Sequence, residues 1–138
     1  MFKLHPQLEQ DCFFIADLNL SQLLLMNDAN YPWLILVPRL ENLREIIDLD
    51  FSQQSELLNE INLVTQILKT QFSVDKFNIA NLGNVVEQLH IHIIVRKKDD
   101  ATFPKPVWGN AAAKLYSAEA KAIIIDKIRQ NLKTKQHG

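Results

Sequence analysis

The spacing of apolar residues along the chain changes period several times, and each change marks an element. Residues 12–16 (Cys-Phe-Phe-Ile-Ala) and 22–26 (Gln-Leu-Leu-Leu-Met) are short apolar runs of strand length, joined by a turn from Asp17 to Ser21. Trp33 to Val37 reads as a third strand, entered through the turn-rich Asn27–Pro32 and closed by Pro38. Glu41 to Ile47 is ambiguous and is compatible with a short helix. From Ser52, the expected N-cap, to about Gln71, a helix carries Leu57, Leu58, Ile61, Val64, Ile67 and Leu68 at helical spacing, a stripe expected to be core. Phe77–Ala80 is a fourth strand. After the loop Asn81–Asn84, the run Gln88–Arg96 alternates with period two and is the fifth. Thr102–Gly109 is limited by its prolines to loop or extended chain. Ser117 caps a last helix running to about residue 136, with Ile124, Ile125, Ile128 and Leu132 on one face. About five strands, with a long helix between the third and fourth and another at the C-terminus, predict an α+β fold on an antiparallel sheet. No repeat or linker divides residues 1–138, which are expected to form one domain.

Composition narrows the function classes. With 138 residues, 47% of them apolar, the chain is long enough to bury roughly two-thirds of its unfolded surface. No apolar run approaches the ~18 residues of a membrane span, so no membrane partner is expected. The start, Met1 to Pro6, lacks a signal peptide's apolar core, and a cytoplasmic location is the expectation. Cys12 is alone, which leaves no intrachain disulfide and no cysteine-based zinc site. A net charge of −1 argues against nucleic acid as a partner. Gly83, Gly109 and Gly138 are the only glycines, so both glycine-rich phosphate cradles are absent. Any phosphate must be handled by side chains and a few backbone amides.

The fifth strand holds the candidate chemistry. Side chains two apart on a strand share a face, so Gln88, His90 and His92 line one side while Leu89, Ile91 and Ile93 point into a core. Three readings compete. The row is the solvated face of an ordinary strand; or His90 and His92 are metal ligands; or one is a nucleophile and the other binds an oxyanion. A metal needs a third ligand. Glu87 faces the other side, Asp99 and Asp100 lie beyond the strand, and His5 and His137 sit at the termini. No metal and no cofactor are therefore expected.

The flanking residues favour the nucleophile. The run Gln88-Leu89-His90-Ile91-His92-Ile93-Ile94-Val95-Arg96 resembles the signature of the histidine triad (HIT) superfamily of nucleotide-binding hydrolases and transferases, with Gln88 in place of the first histidine. Gly83-Asn84-Val85-Val86 is similar to the family's entry loop, and Leu25-Met26-Asn27 before Pro32 to its sugar-binding segment. The whole resembles a proteobacterial branch with a Pro-Val-Trp-Gly segment, here Pro106–Gly109, and covers about residues 10–108.

That resemblance implies that His90 attacks the α-phosphorus of a nucleotide and that water cleaves the covalent nucleotidyl-imidazole. The second ring nitrogen must then carry the proton, and the implied acceptor is the backbone carbonyl of the first triad position, Gln88. Glutamine supplies that carbonyl as well as histidine does, so an active site with altered rate or specificity is expected. His92 is implied to bind the phosphate oxygens, with Asn84 on the α-phosphate and Asn27 or its neighbour Asp28 on the ribose. Each of those three has an alternative as plain turn chemistry. Trp108 is either core or a wall of the pocket contributed from a partner subunit, and Arg96 reads as a strand-end surface charge. Two family features are missing: Trp33-Leu34 replaces a Gly-His or Thr-His pair, and the zinc-binding N-terminal cysteines are absent. The resemblance implies a homodimer and a nucleoside phosphate ligand, such as a dinucleoside polyphosphate or nucleoside phosphoramidate. The alternatives are a non-catalytic nucleotide-binding module and a metal-dependent enzyme using His90 and His92 as ligands.

Overall fold

The most apolar runs of the chain occupy the middle of an antiparallel sheet. The computed structural model describes residues 1–137, with side chains through Lys135. Its strands are β1 (Cys12–Asp17), β2 (Ser21–Met26), β3 (Trp33–Pro38), β4 (Lys76–Asn81) and β5 (Ile91–Arg96), in the order β1-β2-β3-β5-β4. Every residue of β3 and β5 is buried, so both faces of the sheet centre are covered. This overturns the solvated-face reading of the histidine row. One face carries Leu23, Leu25, Leu34, Leu36, Ile91 and Ile93 against helices α2 (Phe51–Gln71) and α3 (Ala118–His137). The other carries Leu24, Trp33, Ile35 and Ile94, and is covered by Phe2, Leu4, Leu8, Val86, Val107 and Trp108.

Several boundaries differ from the sequence reading, each for a local reason. Asp50, not Ser52, caps α2: its carboxylate accepts from Gln53 N–H at 2.8 Å while the Gln53 side chain accepts from Asp50 N–H at 2.9 Å. That reciprocal pair satisfies two otherwise free donors. Leu58 is exposed instead of core. Glu60 is buried and accepts from Leu20 N–H at 2.7 Å, tying α2 to the β1–β2 turn. Residues 41–47 form no α-helix, only a 3-10 turn at Ile46–Asp48. A short α1 (Pro6–Asp11), unanticipated because six residues show no period, starts where His5 Nδ1 accepts from Gln7 N–H. At α3, Ser117 Oγ accepts from Ala120 N–H at 3.1 Å, and Ile125, Ile128 and Leu132 are buried, as expected. No helix among the described residues is long and apolar enough to cross a membrane.

The fifth strand is shorter than its sequence pattern. Pairing with β3 starts at Leu36 opposite Ile91, the chain bends at Gln88, and Leu89 N–H donates to Leu43 O at 2.9 Å. Gln88 and His90 thus precede the ladder.

Arg96, read as a surface charge, is 1% exposed. Its guanidinium grips Asp100 in a two-pronged contact at 2.8 and 3.2 Å, and also donates to Asn78 Oδ1, Thr102 Oγ1 and Lys105 O. Tyr31 and Phe103 lie beneath it, each 5.5 Å from ring centre to guanidinium carbon. Burial opposes ionisation of Asp100, yet Arg96 and the N–H groups of Lys97, Thr102 and Phe103 hold its carboxyl well below the usual range. Arg96 therefore fastens the 100–105 loop to the sheet. Arg96→Met strands the buried carboxylate, and unfolding should become easier by about 3–5 kcal/mol, measured by urea denaturation against the parent chain.

Candidate active site

His90, just ahead of β5, and His92, Ile94 and Arg96 on it form a row on the side away from α2 and α3. His90 and His92 are 4% and 3% exposed, with ring centroids 4.8 Å apart and the planes at 71°. Each ring has a defined partner. His90 Nδ1 lies 2.7 Å from the carbonyl oxygen of Gln88. A carbonyl only accepts, so this nitrogen carries the proton and Nε2 keeps its lone pair. His92 Nδ1 accepts from the indole N–H of Trp33 at 3.1 Å. An indole only donates, so here Nδ1 is bare and the proton sits on Nε2, 3.3 Å from the carbonyl of Leu82. The two neighbours are held in opposite tautomers.

Burial keeps both rings neutral. It lowers the pKa of His92 to about 4, helped by the neighbouring His90, against the stabilising carbonyl of Leu82. It also lowers that of His90, opposed by the Gln88 carbonyl and assisted by His5. His5, set aside from the sequence as terminal, is thus close enough to the site to matter electrostatically. The 82–86 loop lies over the imidazoles. A Cβ at Gly83 would come 2.6 Å from Val86 O and 3.5 Å from His90 Cε1, so only glycine fits this approach.

Of the other sequence candidates, Trp108 touches the rings directly, and Asn27 and Asp28 line a cleft that Trp33 also borders. Trp108 packs edge-on against His92 of its own chain at 5.0 Å and against Trp33 at 5.8 Å. Its wall of the site comes from within the chain. Asn27 Oδ1 accepts from Tyr116 N–H at 2.9 Å, and Asp28 Oδ1 from Asn30 N–H at 3.0 Å and Lys114 N–H at 3.3 Å. Asp28 thus closes a local turn to Asn30, while both side chains pin the 114–116 segment from across the chain. They also line, with Trp33, Met26 and Leu115, a cleft of about 440 Å³. Asn84 is exposed and lines a separate cleft of about 530 Å³ with Arg44, Asn81 and Gly83. The Gln88 side chain faces neither ring: Oε1 accepts from His5 N–H and Nε2 donates to the carbonyl of Lys3.

Sequence reasoning noted Trp33 only as a departure and missed its bond to His92. The available signal is register, because Ile35 stands opposite His92 and Trp33 is then its diagonal neighbour on the same face. For the metal reading, no group of three or more His, Cys, Asp or Glu is gathered among the described residues. The bare nitrogen of His92 is also occupied by an indole N–H.

The HIT domain model matches residues 7–99. Among functionally curated proteins none matches the chain. Solved structures do. A histidine triad protein from Bradyrhizobium japonicum is 47% identical, with 94% of this chain and 97% of that one covered and a TM-score of 0.92. One from Marinobacter aquaeolei is 41% identical over 97% and 98%, with a TM-score of 0.93. A histidine triad nucleotide-binding protein from Sulfolobus tokodaii shares the fold at 18% identity and a TM-score of 0.68. A match spanning most of the chain, together with close relatives of nearly equal length, leads to one conclusion: this chain belongs to the HIT domain family, whose membership supports nucleotide-binding hydrolase or transferase chemistry at the level of the family.

Proposed function

We propose that the protein hydrolyses a nucleoside phosphate derivative, of the dinucleoside polyphosphate or nucleoside phosphoramidate type, through a nucleotidyl group carried on His90. The observation that carries this reading is the pair of opposite tautomers. The lone pair on His90 Nε2 attacks the α-phosphorus, and the bond to the leaving group breaks with its electron pair going to that group. Water then attacks the same phosphorus and loses a proton to solvent, and the P–N bond breaks with its electron pair returning to Nε2. Throughout the attack the proton stays on Nδ1, and Gln88 O accepts its hydrogen bond and so stabilises the ring as it becomes cationic. His92 Nε2–H supplies a donor for the developing phosphoryl charge once a phosphate oxygen takes the place of Leu82 O, whose 3.3 Å contact is long for a hydrogen bond.

The cleft beside Asn27, Asp28 and Trp33 is the place for the nucleoside in this reading, and Asn84, within the 82–86 loop, lines the separate cleft with Arg44 and Asn81. A homodimer is part of the proposal. The outer side of β4 is unpaired within the described chain and leaves Ile79 half-exposed, the kind of edge a second copy covers.

Three outcomes test the chemistry. His90→Asn should reduce turnover of nucleoside phosphoramidates or dinucleoside polyphosphates to background, with the melting temperature close to that of the parent. Substantial remaining turnover sinks the assignment. Trp33→Phe keeps an aromatic ring and deletes the N–H, so His92 loses its tautomer; kcat should fall about tenfold or more, read by steady-state kinetics. The third outcome concerns pH. Only the free base of His90 attacks, and burial holds its pKa below the ordinary 6.5, so the acid-side midpoint of kcat/KM should lie below pH 6.5. A pH profile on a substrate that does not itself titrate in this range gives the answer, and a midpoint above 6.5 contradicts the reading.

A further inference from the structure

The first triad position is the one place where this chain departs from the motif, and its side chain is engaged away from the imidazoles. Gln88 Oε1 accepts from His5 N–H at 2.8 Å and Gln88 Nε2 donates to Lys3 O at 2.9 Å. Those two backbone groups lie two residues apart on one edge of the segment ahead of α1. The carboxamide therefore docks as another peptide group would in a ladder, donor and acceptor side by side. An imidazole cannot do this, since its two nitrogens diverge around the ring. A carboxylate cannot either, because it only accepts.

We propose that residues 2–5 form a positioning strap for the nucleophile, locked by the Gln88 side chain. The proposal rests on reading His90 as that nucleophile. Gln88 sits at a bend before β5, so no strand pairing fixes its main chain. The peptide between Gln88 and Leu89 is held at its N–H end, where Leu89 donates to Leu43 O at 2.9 Å. Its other end is the carbonyl that His90 uses. The strap fixes the α-carbon just before that carbonyl. It is well placed to do so, because Phe2 and Leu4 pack into the apolar cluster of Trp33, Val86 and Val107. His5, gripped through its N–H, also begins α1 by accepting from Gln7 N–H at 3.0 Å. Glutamine at this position thus exchanges a ring in the row for a grip on the chain's first residues. Gln88 and Lys3–His5 act through His90 and need no contact with substrate.

Two full-length variants test this, Gln88→Met, which keeps the length and deletes both contacts, and Gln88→Glu, which loses only the bond to Lys3 O. Nitrogen-15 NMR of labelled histidine reports the His90 tautomer without any substrate. The parent should show a protonated Nδ1 and a bare Nε2. Gln88→Met should show a mixture of tautomers, with kcat lowered roughly tenfold or more and unchanged affinity for AMP in a binding titration. Gln88→Glu should fall between the two, and it carries the test alone if the methionine variant does not fold. Lys3→Ala should change nothing, because only the carbonyl of that residue is used. A parent-like His90 tautomer and parent-like kcat in both Gln88 variants overturn the strap. If the parent turns over no nucleotide ester but the tautomer still shifts in the variants, the strap stands and the hydrolase reading falls.

Discussion

The hydrogen bond from His90 Nδ1 to the carbonyl of Gln88 and the one from the Trp33 indole to His92 Nδ1 set two adjacent rings in opposite protonation states. The side chains are chemically identical, and nothing intrinsic leaves Nε2 bare on one ring and protonated on the other. The difference comes from what faces each Nδ1: an obligate acceptor in one case, an obligate donor in the other. Burial strengthens the distinction, because the cationic form that would carry protons on both nitrogens is disfavoured by loss of water. A solvated pair would exchange tautomers and charge freely. Packing of the sheet is therefore what gives the site its chemistry.

The same constraint explains how stability and the site share one face. Period two places His92, Ile94 and Arg96 in line on β5, with His90 continuing the row just before it, on the side away from α2 and α3. Arg96 anchors the loop through Asp100 and Thr102. That loop delivers Val107 to the apolar cluster and sets Trp108 edge-on against His92. A residue with no contact to the imidazoles thus fixes the wall beside them. Its network also satisfies the otherwise costly burial of a guanidinium and a carboxylate, since each is met by several hydrogen bonds.

Much of this architecture is legible in the sequence, because the strong signals belong to long or strongly patterned elements. The five strands, the α2 stripe apart from Leu58 and the Ser117 cap of α3 follow from apolar period and turn residues. The alternation that puts His90 and His92 opposite Ile91 and Ile93 follows from strand geometry. What is not legible depends on contacts far apart in the chain. Arg96 looks like a surface charge because its partners Asn78, Thr102 and Lys105 are recognisable only once the loop is folded back. His5 and Lys3 look terminal until they meet Gln88, more than eighty residues away. Asp50 hides as a cap because Ser52 offers an equally good hydroxyl, and only the reciprocal bond with Gln53 decides between them.

Position 88, where the sequence resemblance implies a histidine, illustrates how a motif divides its labour between main chain and side chain. The orienting role implied for the first position is carried by its carbonyl, which every amino acid possesses. A substitution there leaves the contact to His90 available, provided the backbone stays in place. Gln88 lies outside the ladder, so keeping it in place requires some other attachment, and the side chain supplies one through two backbone groups of the N-terminal segment. The freedom to change the residue and the need to fix its α-carbon arise from the same fact, that β5 begins only at Ile91. A histidine at position 88 would leave Lys3 O and His5 N–H to find other partners, because its diverging nitrogens cannot serve both. The departure from the motif and the path of the first residues are thus two aspects of one packing solution.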